Sequence, residues 1–469
     1  MNIAEILDAL AQSDDEKKEL NERFKDILDE VPSVIVDNPV TVKPRGVVVW
    51  THAMTTREDA DEIVRKNDPL LVIAEKQIED LPCYVCPSSY RAWLKICKKK
   101  LDSFSGLKKI VVTGSCGKTT VKDLIYAVLS EEAVSLKNFK SVNGWRGIAL
   151  AVMGAPEGLK YYVTEMGLSK PNNAFVPLSE AVEPDICVIT NIGDAHFENF
   201  KSKEQILEQK LLCAKAMPEE TGCLILNYDD PIIMSHEYRH KVITVSLNND
   251  KADYYAKDIN LENGISFIAV CKDREIPIQM NIYGEHNVFN AMVAVTIGDM
   301  MGIKDESIQN ALSSYQTEGM RQNVMDGTAA NGTHQKLIVD CFNASSGSMM
   351  SALEVLKSMK NPEKTRKIAV LGDMVSAGSL SEDAHTEVGR TVVEMGFDVC
   401  VGFGEKIKYA TDYVQENGSA VSRYFNDVQE CADYLNGLVA EGDVVLFKGS
   451  RALKMEDIIA KVYNLKLKI

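Results

Sequence analysis

The sequence predicts an α/β protein of about three domains, and three observations lead to this prediction. The chain has 469 residues, whereas a domain averages roughly 150 residues. From residue 108 onward, short apolar runs alternate with helical segments, which is typical of a parallel sheet buried on both faces. A second alternating block begins near residue 336 and indicates a further unit of Rossmann-like type.

The N-terminal part of the chain has the least distinctive pattern. Residues 1–30 are typical of an amphipathic helix, and strand-like apolar runs follow at 47–50 and 70–74. Helical stretches lie between and after these runs. We therefore expect a small α/β domain over residues 1–107.

The central domain is expected over residues 108–324. Its first strands are KIVVTG, YYVTEMG and DICVITNIG, which fit a parallel sheet. Residues 221–283 then resemble short antiparallel strands, namely CLILN, VITVS, ISFIAV and IPIQMNIYG. Two helices are expected to follow, roughly over 286–301 and 307–315.

A polar, glycine-bearing stretch at 322–332 interrupts the apolar periodicity and indicates a domain boundary. The C-terminal domain is expected over residues 325–469. Its strands KLIVD, KIAVLGD, DVCVGFG and DVVLFKGS alternate with helices, so we expect a Rossmann-like domain.

Composition excludes several classes of protein. The net charge is −16, which argues against nucleic acid or an anionic membrane as the main partner. No apolar run reaches the roughly eighteen residues of a membrane span, and the N-terminus lacks the features of a signal peptide. The eleven cysteines lie mostly in apolar segments, which favours reduced thiols and a cytoplasmic protein. Cys83 and Cys86 form a single CxxC, for which ordinary thiols are favoured over a metal or redox site.

The strongest local signal is IVVTGSCGKTT at residues 110–120, where a strand leads into a glycine-rich turn and a helix. Backbone N–H groups at such a turn bind phosphate oxygens. Lys118 is expected to reach the β- and γ-phosphates, and the Thr119 hydroxyl is expected to hold Mg²⁺. The disfavoured alternative is that this segment is a glycine-rich turn between a strand and a helix that binds no ligand. The expected nucleotide-binding set is Gly114, Ser115, Gly117, Lys118, Thr119 and Thr120.

Two further strand ends carry candidate metal ligands. Glu165 follows YYVT, and His196 follows ICVIT and a short loop. Residues just past the carboxyl ends of parallel strands meet in one crevice, so both could join Lys118 and Thr119 there. Glu165 is a suitable oxygen ligand for Mg²⁺. For His196, spacing alone leaves both a structural role and a ligand role open.

Lys210 occupies an unusual position in the helix expected over residues 204–217. At 100° per residue it lies about 40° from Ile206, within the apolar stripe of that helix. One interpretation is a lysine whose ammonium extends to solvent. The other is an amine whose pKa is lowered by burial, or one that takes up CO₂ to become an anionic carbamate ligand for a metal.

The ordered set of segments from about residue 108 onward resembles the Mur ligases, a family of ATP-dependent amide-forming enzymes that includes the folylpolyglutamate synthases. The segments are TGSCGKTT, TEMG, TNIGDAHFENF, LEQKLL, YGEHNVFNAMVA, GMR, VDCFNASSGSM, LGDM and FKGSR. FNAS, LGDM and KGSR resemble the branch that joins D-alanyl-D-alanine to the UDP-linked muramoyl tripeptide of cell-wall precursors.

The resemblance implies ATP and two Mg²⁺ ions as cofactors. Lys118 and Thr119 would bind the triphosphate and metal, and Glu165 with His196 would help hold the two ions. Lys210 matches the lysine that the family carries as a carbamate, so its catalytic role would be as a modified metal ligand. Lys118, Lys210 and His196 are therefore the implied catalytic residues.

The resemblance also implies roles for later segments. Asn287 and Asn290 would meet adenine, although both could instead cap a helix. Arg321 would approach the phosphates from the hinge between domains. The ribose and the incoming amine would be contacted from the third domain, although KGSR could instead be a solvated turn. The ribose set is Asp340 and Asn343, and the amine set is Lys448, Ser450 and Arg451.

Three departures from the family pattern stand out. Ser345 replaces an expected Asn. NGWRGIAL replaces the usual NNEIGVPL loop, which changes residues 144–146 near the substrate cleft. Residues 1–107 lack a clear uridine-binding signature. VDNPVTVKPRGVVVW is at best a remnant of that signature. Because the second and third of these departures lie in segments expected near the acceptor, the sequence does not identify which carboxylate the protein binds.

The expected reaction has two steps. A substrate carboxylate attacks the γ-phosphorus of ATP, and an amine then attacks the acyl phosphate. The partners would be a small carboxylate acceptor and an amine or dipeptide, bound by a monomer. His385 is a candidate for the base that removes a proton from the amine, although its position in the sequence gives no independent support for this role.

Three alternatives to this reading stay open. One is a ligase derived from the same branch but acting on an acceptor without UDP. A P-loop GTPase or kinase is disfavoured because the sequence has no NKxD guanine motif. A non-catalytic nucleotide-binding protein is disfavoured because each implied catalytic position is filled.

Overall fold

In the residues that it describes, the computed structural model of the chain has three sheets. They have four, nine and six strands, and they follow one another along the sequence. None of the described helices has both the length and the apolar character that a membrane-spanning helix needs. The structure describes residues 1–38, 41–50, 60–168, 170–171, 173–193, 199–262, 264–272, 274–317, 319–359, 366–375, 381–465 and 467.

The N-terminal unit is a parallel sheet in the order β1-β2-β3-β4 with helices beside it. The amphipathic stretch at its start forms two helices rather than one, because Ser13 caps the second helix by accepting a bond from the backbone of Glu16. The elements are α1 (Ile3–Leu10), α2 (Asp14–Arg23), β1 (Ile35–Val36), β2 (Val47–Trp50), α3 (Ala60–Lys66), β3 (Leu71–Ala74), β4 (Cys83–Val85) and α4 (Ser89–Asp102).

The two cysteines of the CxxC lie on opposite faces of this first sheet. Cys83 packs with Val72 in one apolar cluster, whereas Cys86 packs with Ile73 in the other. All eleven cysteines of the chain are free thiols. The arrangement supports ordinary buried thiols and not a shared metal or redox site.

The central unit is a nine-stranded sheet in the order β13-β12-β11-β10-β9-β8-β5-β7-β6. Its elements are β5 (Lys108–Thr113), α5 (Lys118–Ser130), β6 (Ser135–Lys137), α6 (Trp145–Met153), β7 (Tyr161–Glu165), α7 (Phe175–Val182), β8 (Ile186–Ile189), α8 (Lys203–Leu211), β9 (Cys223–Asn227), α9 (Pro231–Met234), β10 (Lys241–Ser246), β11 (Tyr254–Asn260), β12 (Ile265–Cys271), β13 (Arg274–Met280), α10 (His286–Met300) and α11 (Asp305–Ser314).

The expectation of four antiparallel strands over 221–283 is wrong for the first two. Strand β9 pairs parallel to β8, and β10 pairs parallel to β9, so both extend the buried parallel sheet. The antiparallel part consists of β11, β12 and β13. Short apolar runs look alike in parallel and antiparallel strands, and the sequence therefore did not separate the two cases.

The third unit is a six-stranded sheet in the order β14-β15-β19-β16-β17-β18, parallel except for the edge strand β14. Its first strand begins two residues before the expected boundary at 324/325. The predicted three-part α/β class is confirmed. The elements are β14 (Asn323–Thr328), β15 (His334–Asp340), α12 (Ser346–Ser358), β16 (Lys367–Gly372), α13 (Ser381–Met395), β17 (Val399–Phe403), α14 (Lys408–Asn417), β18 (Val421–Phe425), α15 (Val428–Leu438), β19 (Val444–Lys448) and α16 (Glu456–Tyr463).

Candidate active site

The loop between β5 and α5 has the backbone of a phosphate-binding loop. Gly114 and Gly117 have φ angles of 149° and 81°, which side-chain-bearing residues rarely adopt. A Cβ atom on Gly114 would lie 1.9 Å from Thr190 Oγ1. Gly117 leads directly into α5, whose first turn contains Lys118, Thr119 and Thr120. The backbone N–H groups of this turn are placed to bind an anion.

A segment that follows β8 clamps this loop from the side. Asn191 Oδ1 accepts from the backbone N–H of Cys116 at 2.9 Å, and its Nδ2 donates to the Cys116 carbonyl at 3.2 Å. Thr190 Oγ1 donates to the same carbonyl at 2.6 Å. The backbone N–H of Gly193 donates to Ser115 Oγ at 2.9 Å. The sequence did not single out Thr190 or Asn191, although TNIG follows a strand that ends at the same sheet edge.

Two lysines meet at one carbonyl oxygen of the loop. Lys118 Nζ donates to Gly114 O at 2.9 Å, and Lys210 Nζ donates to the same oxygen at 2.8 Å. Burial lowers the pKa of Lys118, and it lowers the pKa of Lys210 to about 7 with a further contribution from Lys118. The hydrogen bonds of both side chains go to carbonyls of the loop, since Lys118 Nζ also donates to Ser115 O at 3.0 Å. Lys118 and the N-terminus of α5 can therefore receive an anion, and Lys210 adds a buried amine beside them.

The burial of Lys210 confirms its predicted place in the apolar stripe. Its side chain is 4% exposed and points from α8 towards the phosphate loop. The interpretation in which its ammonium reaches solvent is therefore wrong. Burial thus favours the neutral form of this amine far more than in an exposed lysine.

Glu165, the last residue of β7, presents one oxygen that lacks a hydrogen-bond partner. The side chain is fully buried, and Asn143 Nδ2 donates to Oε1 at 2.9 Å. Oε2 has no hydrogen bond among the described residues, and the nearest cation is Lys122 Nζ at 3.9 Å. A buried carboxylate oxygen without a donor fits a cation ligand, so these residues are compatible with Mg²⁺.

Other metal positions are less completely defined. His196 lies outside the described residues. In the described part of the chain, no group of three His, Cys, Asp or Glu side chains is arranged to hold a metal. Mg²⁺ usually keeps water and substrate phosphate oxygens as ligands, so Glu165 and the Thr119 hydroxyl would be sufficient protein donors for one ion.

Lys122 is a second buried lysine of α5 that the sequence reading missed. It lies one helical turn after Lys118 and is fully buried. Its Nζ donates to the carbonyls of Asn138, at 3.1 Å, and Lys140, and it lies 3.4 Å from Asp123 Oδ1. Burial lowers its pKa. The i, i+4 spacing from Lys118 was the available signal, since such residues share a helix face.

Asn287 and Asn290 lie on α10 against the phosphate loop. Both are buried, and Asn290 Nδ2 donates to Asn287 Oδ1 at 2.9 Å. Asn287 Nδ2 donates to Tyr283 O at 2.7 Å and to Gln322 Oε1 at 3.1 Å. The side chains therefore do not cap α10, which begins after Glu285. A Cβ atom on Gly117 would lie 2.9 Å from Asn290 Oδ1, so α10 contacts the loop directly.

The hinge before β14 contributes a cation to the same region. The Arg321 guanidinium lies 4.0 Å from the centroid of the Phe342 ring, and burial lowers its pKa. A cavity of about 60 Å³ joins the helix of the phosphate loop to this hinge. Its lining residues are Thr119, Asp123, Lys140, Ser141, Gly319, Met320, Arg321 and Phe342.

Asp340 and Lys448 form a buried ion pair at the carboxyl ends of two neighbouring strands of the third unit. They are register partners of β15 and β19, and their side-chain atoms lie 2.9 Å apart. Lys448 Nζ also donates to Asn343 O at 2.7 Å. The sequence named these three residues separately but did not show that Lys448 pairs with Asp340.

KGSR is not a solvated turn, because Lys448 and Ser450 are 2% and 5% exposed. Ser450 Oγ accepts from the backbone N–H of Val375 at 3.0 Å, and Arg451 pairs with Glu456. Both side chains at positions 448 and 450 are thus engaged within the third unit.

Both ring nitrogens of His385 are occupied. Nε2 accepts from the backbone N–H of Met374 at 3.0 Å, and Nδ1 lies 2.5 Å from the carbonyl oxygen of Ser381, to which it donates. Burial lowers the pKa of the ring. His385 holds the LGDM loop in place and is not available as a base in this arrangement.

The third unit also contacts the phosphate loop. Ser345 precedes α12 with an extended backbone, and its N–H donates to Ser348 Oγ at 2.9 Å. Ser345 Oγ lies 3.9 Å from Cys116 Sγ. The start of α12 thus closes over the loop.

These features define a phosphate-loop protein whose third, Rossmann-like unit contacts the phosphate loop. Sequence profiles agree: the "Mur ligase middle domain" matches residues 112–298, and the "Mur ligase, glutamate ligase domain" matches 321–451. The UDP-N-acetylmuramoyl-tripeptide–D-alanyl-D-alanine ligase of Bacillus subtilis is 32% identical over 358 residues, which are 76% of this chain and 75% of that protein. The chain belongs to the Mur ligase family, whose members are ATP-dependent amide-bond-forming enzymes.

Solved structures show the same fold. MurF from Acinetobacter baumannii matches with a TM-score of 0.82 at 23% identity, covering 94% of this chain and 97% of that chain. The MurF ligase of Thermotoga maritima in complex with ADP matches with a TM-score of 0.79 at 24% identity. The match covers 91% of this chain and 96% of that chain.

Proposed function

We propose that this protein is a ligase of the MurF type, which uses ATP to join D-alanyl-D-alanine to a UDP-MurNAc-tripeptide. The observation that supports this most directly is the anion site at the phosphate loop. Lys118 and the buried amine of Lys210 share the Gly114 carbonyl of this loop. At the end of the neighbouring strand β7, Glu165 presents an oxygen that accepts no hydrogen bond from the described residues. The named activity of the Bacillus subtilis relative supplies the substrates.

The reaction has two displacements. A carboxylate oxygen of the acceptor attacks the γ-phosphorus, the bond to the β,γ-bridging oxygen breaks, and ADP leaves. The amine nitrogen then attacks the acyl carbon, phosphate leaves with the former carboxylate oxygen, and the nitrogen loses a proton. Lys118 and Arg321 neutralise charge on the transferred phosphoryl group, and closure of the third unit excludes water from the acyl phosphate.

The metal site would be formed by Glu165, the Thr119 hydroxyl and His196, with two Mg²⁺ ions in the complete site. When bound, Mg²⁺ supplies positive charge that balances the phosphate oxygens during transfer. Asn143 keeps Glu165 oriented with one oxygen free for this purpose.

Lys210 is proposed to act as a carbamate. Its neutral amine adds CO₂, forming an N–C bond and releasing a proton, and the product is an anionic oxygen ligand. Support comes from its burial beside the phosphate loop and from its pKa of about 7, which keeps part of the amine neutral.

The remaining site residues bind the nucleotide and the amine. Asn287 and Asn290 would contact adenine. The third unit would contribute Asp340 and Asn343 to the ribose and Lys448, Ser450 and Arg451 to the region of the incoming amine. Because Lys448 already pairs with Asp340, we expect it to position that carboxylate.

We assign binding of the acceptor to the domain at residues 1–107 and binding of ATP to the domain at 108–324. The domain at 325–469 is assigned the closing movement over the bound ATP. One chain brings these parts of the site together, so we expect a monomer. The reaction consumes ATP, and we therefore place it in the cytoplasm.

The test is a phosphate-release screen. It crosses UDP-MurNAc-peptides and simpler carboxylates with D-Ala-D-Ala and single amino acids. We expect phosphate release only when acceptor and amine are both present, and greatest with UDP-MurNAc-tripeptide and D-Ala-D-Ala. Phosphate release without an amine would instead indicate an ATP hydrolase. ADP release without phosphate release would indicate a kinase, and release of neither product with any pair would indicate a non-catalytic protein.

A second candidate is a ligase of the same chemistry with an acceptor that carries no UDP. The observation that favours it is a contact between two departures from the family pattern. Arg146, in the altered NGWRG loop, pairs with Asp37, in the altered uridine-binding segment. Preference for a simple carboxylate in the same screen would establish this second function.

A further inference from the structure

The four-residue segment 143–146 contacts the candidate metal ligand at one end and the N-terminal sheet at the other. It lies in the central unit, where residues 143 and 144 end the loop after β6 and residues 145 and 146 begin α6. Its side chains reach three separate elements, namely the end of β7, the start of α4 and the residue after β1. The segment is therefore a direct physical connection between two units of the chain.

At the metal end, Asn143 determines how Glu165 is presented. The Asn143 amide donates to Oε1 at 2.9 Å, which leaves Oε2 as the oxygen without a hydrogen bond. Asn143 is itself fixed, because its carbonyl accepts from Gly167 N at 3.2 Å. A Cβ atom on Gly167 would lie 2.4 Å from the Asn143 amide, so the two are in close contact. Loss of this amide would free Glu165 to rotate.

At the other end, Arg146 anchors the segment to the N-terminal unit. Its Nη2 donates to Asp37 Oδ1 at 3.2 Å, and its Nε contacts Oδ2, so the contact involves both oxygens. Asp37 is 1% exposed, and a buried carboxylate requires a partner. Trp145 adds an edge-to-face contact with Tyr90 of α4, with ring centroids 5.1 Å apart. These two contacts therefore fix the position of residues 145 and 146 relative to the N-terminal unit.

We propose that segment 143–146 is a positioning element that transmits the placement of the N-terminal unit to the metal ligand. In this arrangement, Asn143 orients Glu165 for Mg²⁺, and the Arg146–Asp37 pair holds Asn143 in register. The inference rests on the proposed metal role of Glu165. It adds that a charge pair in the acceptor unit controls how strongly the nucleotide site responds to Mg²⁺.

The experiment measures binding of a non-hydrolysable ATP analogue by the full chain, by calorimetry, at graded Mg²⁺ concentrations. Changes in residues that orient metal ligands cost about 10- to 100-fold in metal affinity, so Asn143→Ala should raise the half-saturating Mg²⁺ about tenfold. Arg146→Ala should raise it about three- to fivefold, because the anchor is lost while the amide remains.

A matched pair in the third unit serves as the control. Arg366 contacts both carboxylate oxygens of buried Asp443, as Arg146 does with Asp37. Arg366→Ala should therefore lower stability but leave the half-saturating Mg²⁺ unchanged. Thermal unfolding monitors the folding of each variant. If Arg146→Ala does not fold, Arg146→Lys replaces it, since lysine keeps the charge but cannot make the two-point contact.

Glu165→Gln separates this inference from the proposed function. If Glu165→Gln leaves the Mg²⁺ dependence unchanged, Glu165 is not a metal ligand and the proposed metal site fails. If Glu165→Gln raises the half-saturating Mg²⁺ but Asn143→Ala or Arg146→Ala does not, the positioning element is wrong while the metal site stands. If Arg366→Ala raises the half-saturating Mg²⁺ as much as Arg146→Ala does, the positioning role of segment 143–146 is also wrong, because the effect would then reflect stability alone.

Discussion

The nucleotide side and the acceptor side of this molecule differ in how closely they follow the family pattern. The family profiles for the middle and C-terminal domains match residues 112–298 and 321–451, whereas the sequence of the N-terminal unit lacks a clear uridine-binding signature. On the nucleotide side, the loop, Glu165, Lys210 and the hinge arginine are all in place. On the acceptor side, two departures contact each other through the Arg146–Asp37 pair.

The difference follows from the chemistry on each side. Phosphoryl transfer requires charges at fixed positions around the same triphosphate, whatever carboxylate is activated. The acceptor only has to bring its carboxylate to that point, so its binding surface can change without loss of the reaction. We therefore expect changes on the nucleotide side to affect every substrate pair. Changes on the acceptor side should act mainly on stability or substrate choice, with a smaller effect on the Mg²⁺ dependence through segment 143–146.

The largest effect is expected for Lys118→Ala. Loss of the loop lysine removes charge from the transferred phosphoryl group and should lower ATP turnover by at least about a thousandfold with every acceptor. Turnover is measured as ADP release, and circular dichroism should show an unchanged fold. Lys251→Ala, at an exposed lysine, is the control. Normal ADP release by Lys118→Ala would contradict the phosphate-loop assignment.

The second effect concerns Lys210→Ala, which should lower ligation about a hundredfold. If Lys210 acts as a carbamate, acetate or formate should restore part of the activity by occupying the vacated space with a carboxylate. The measurement is phosphate release with and without these acids. Lys118→Ala should not be rescued by them. Full activity of Lys210→Ala, or loss without rescue, would rule out the carbamate.

The sequence predicted those parts of the site that depend on local pattern. Helical periodicity placed Lys210 in an apolar stripe, and its burial is confirmed. The glycine-rich turn indicated the phosphate loop, and the left-handed backbone of Gly117 explains why glycine is required there. The parallel pairing of β5 and β7 places Glu165 at the same sheet edge as the phosphate loop, as the strand ends predicted.

Contacts that depend on strand register or on packing between units were not predictable. Asp340 and Lys448 are more than a hundred residues apart and meet only because β15 and β19 are neighbours in register. The parallel pairing of β9 and β10 was missed because short apolar runs do not encode direction. The link between Arg146 and Asp37 requires the placement of one unit against another.

A smaller effect is expected when the family residue is restored on the acceptor side. Arg146→Ile leaves Asp37 buried without its partner and should lower the free energy of unfolding by about 2 kcal/mol, since Arg146 is itself partly exposed. Urea denaturation provides the measurement. Arg366→Ile, which breaks the matched pair with Asp443, should cost a similar amount. If only Arg366→Ile destabilises the protein, the acceptor-side pair does not stabilise the junction between units.

The smallest effect is expected when the family residue is restored on the nucleotide side. Serine and asparagine both favour the position before a helix, so Ser345→Asn should change the free energy of unfolding by less than about 0.5 kcal/mol. Ligation should stay within about twofold, because the start of α12 keeps its place beside Cys116. Ser345→Ala, which removes the polar side chain, should cost about 1 kcal/mol. A large loss of stability or ligation in Ser345→Asn would show that the nucleotide side has also adapted to its own substitutions. The two sides would then no longer differ in how they tolerate a return to the family residue.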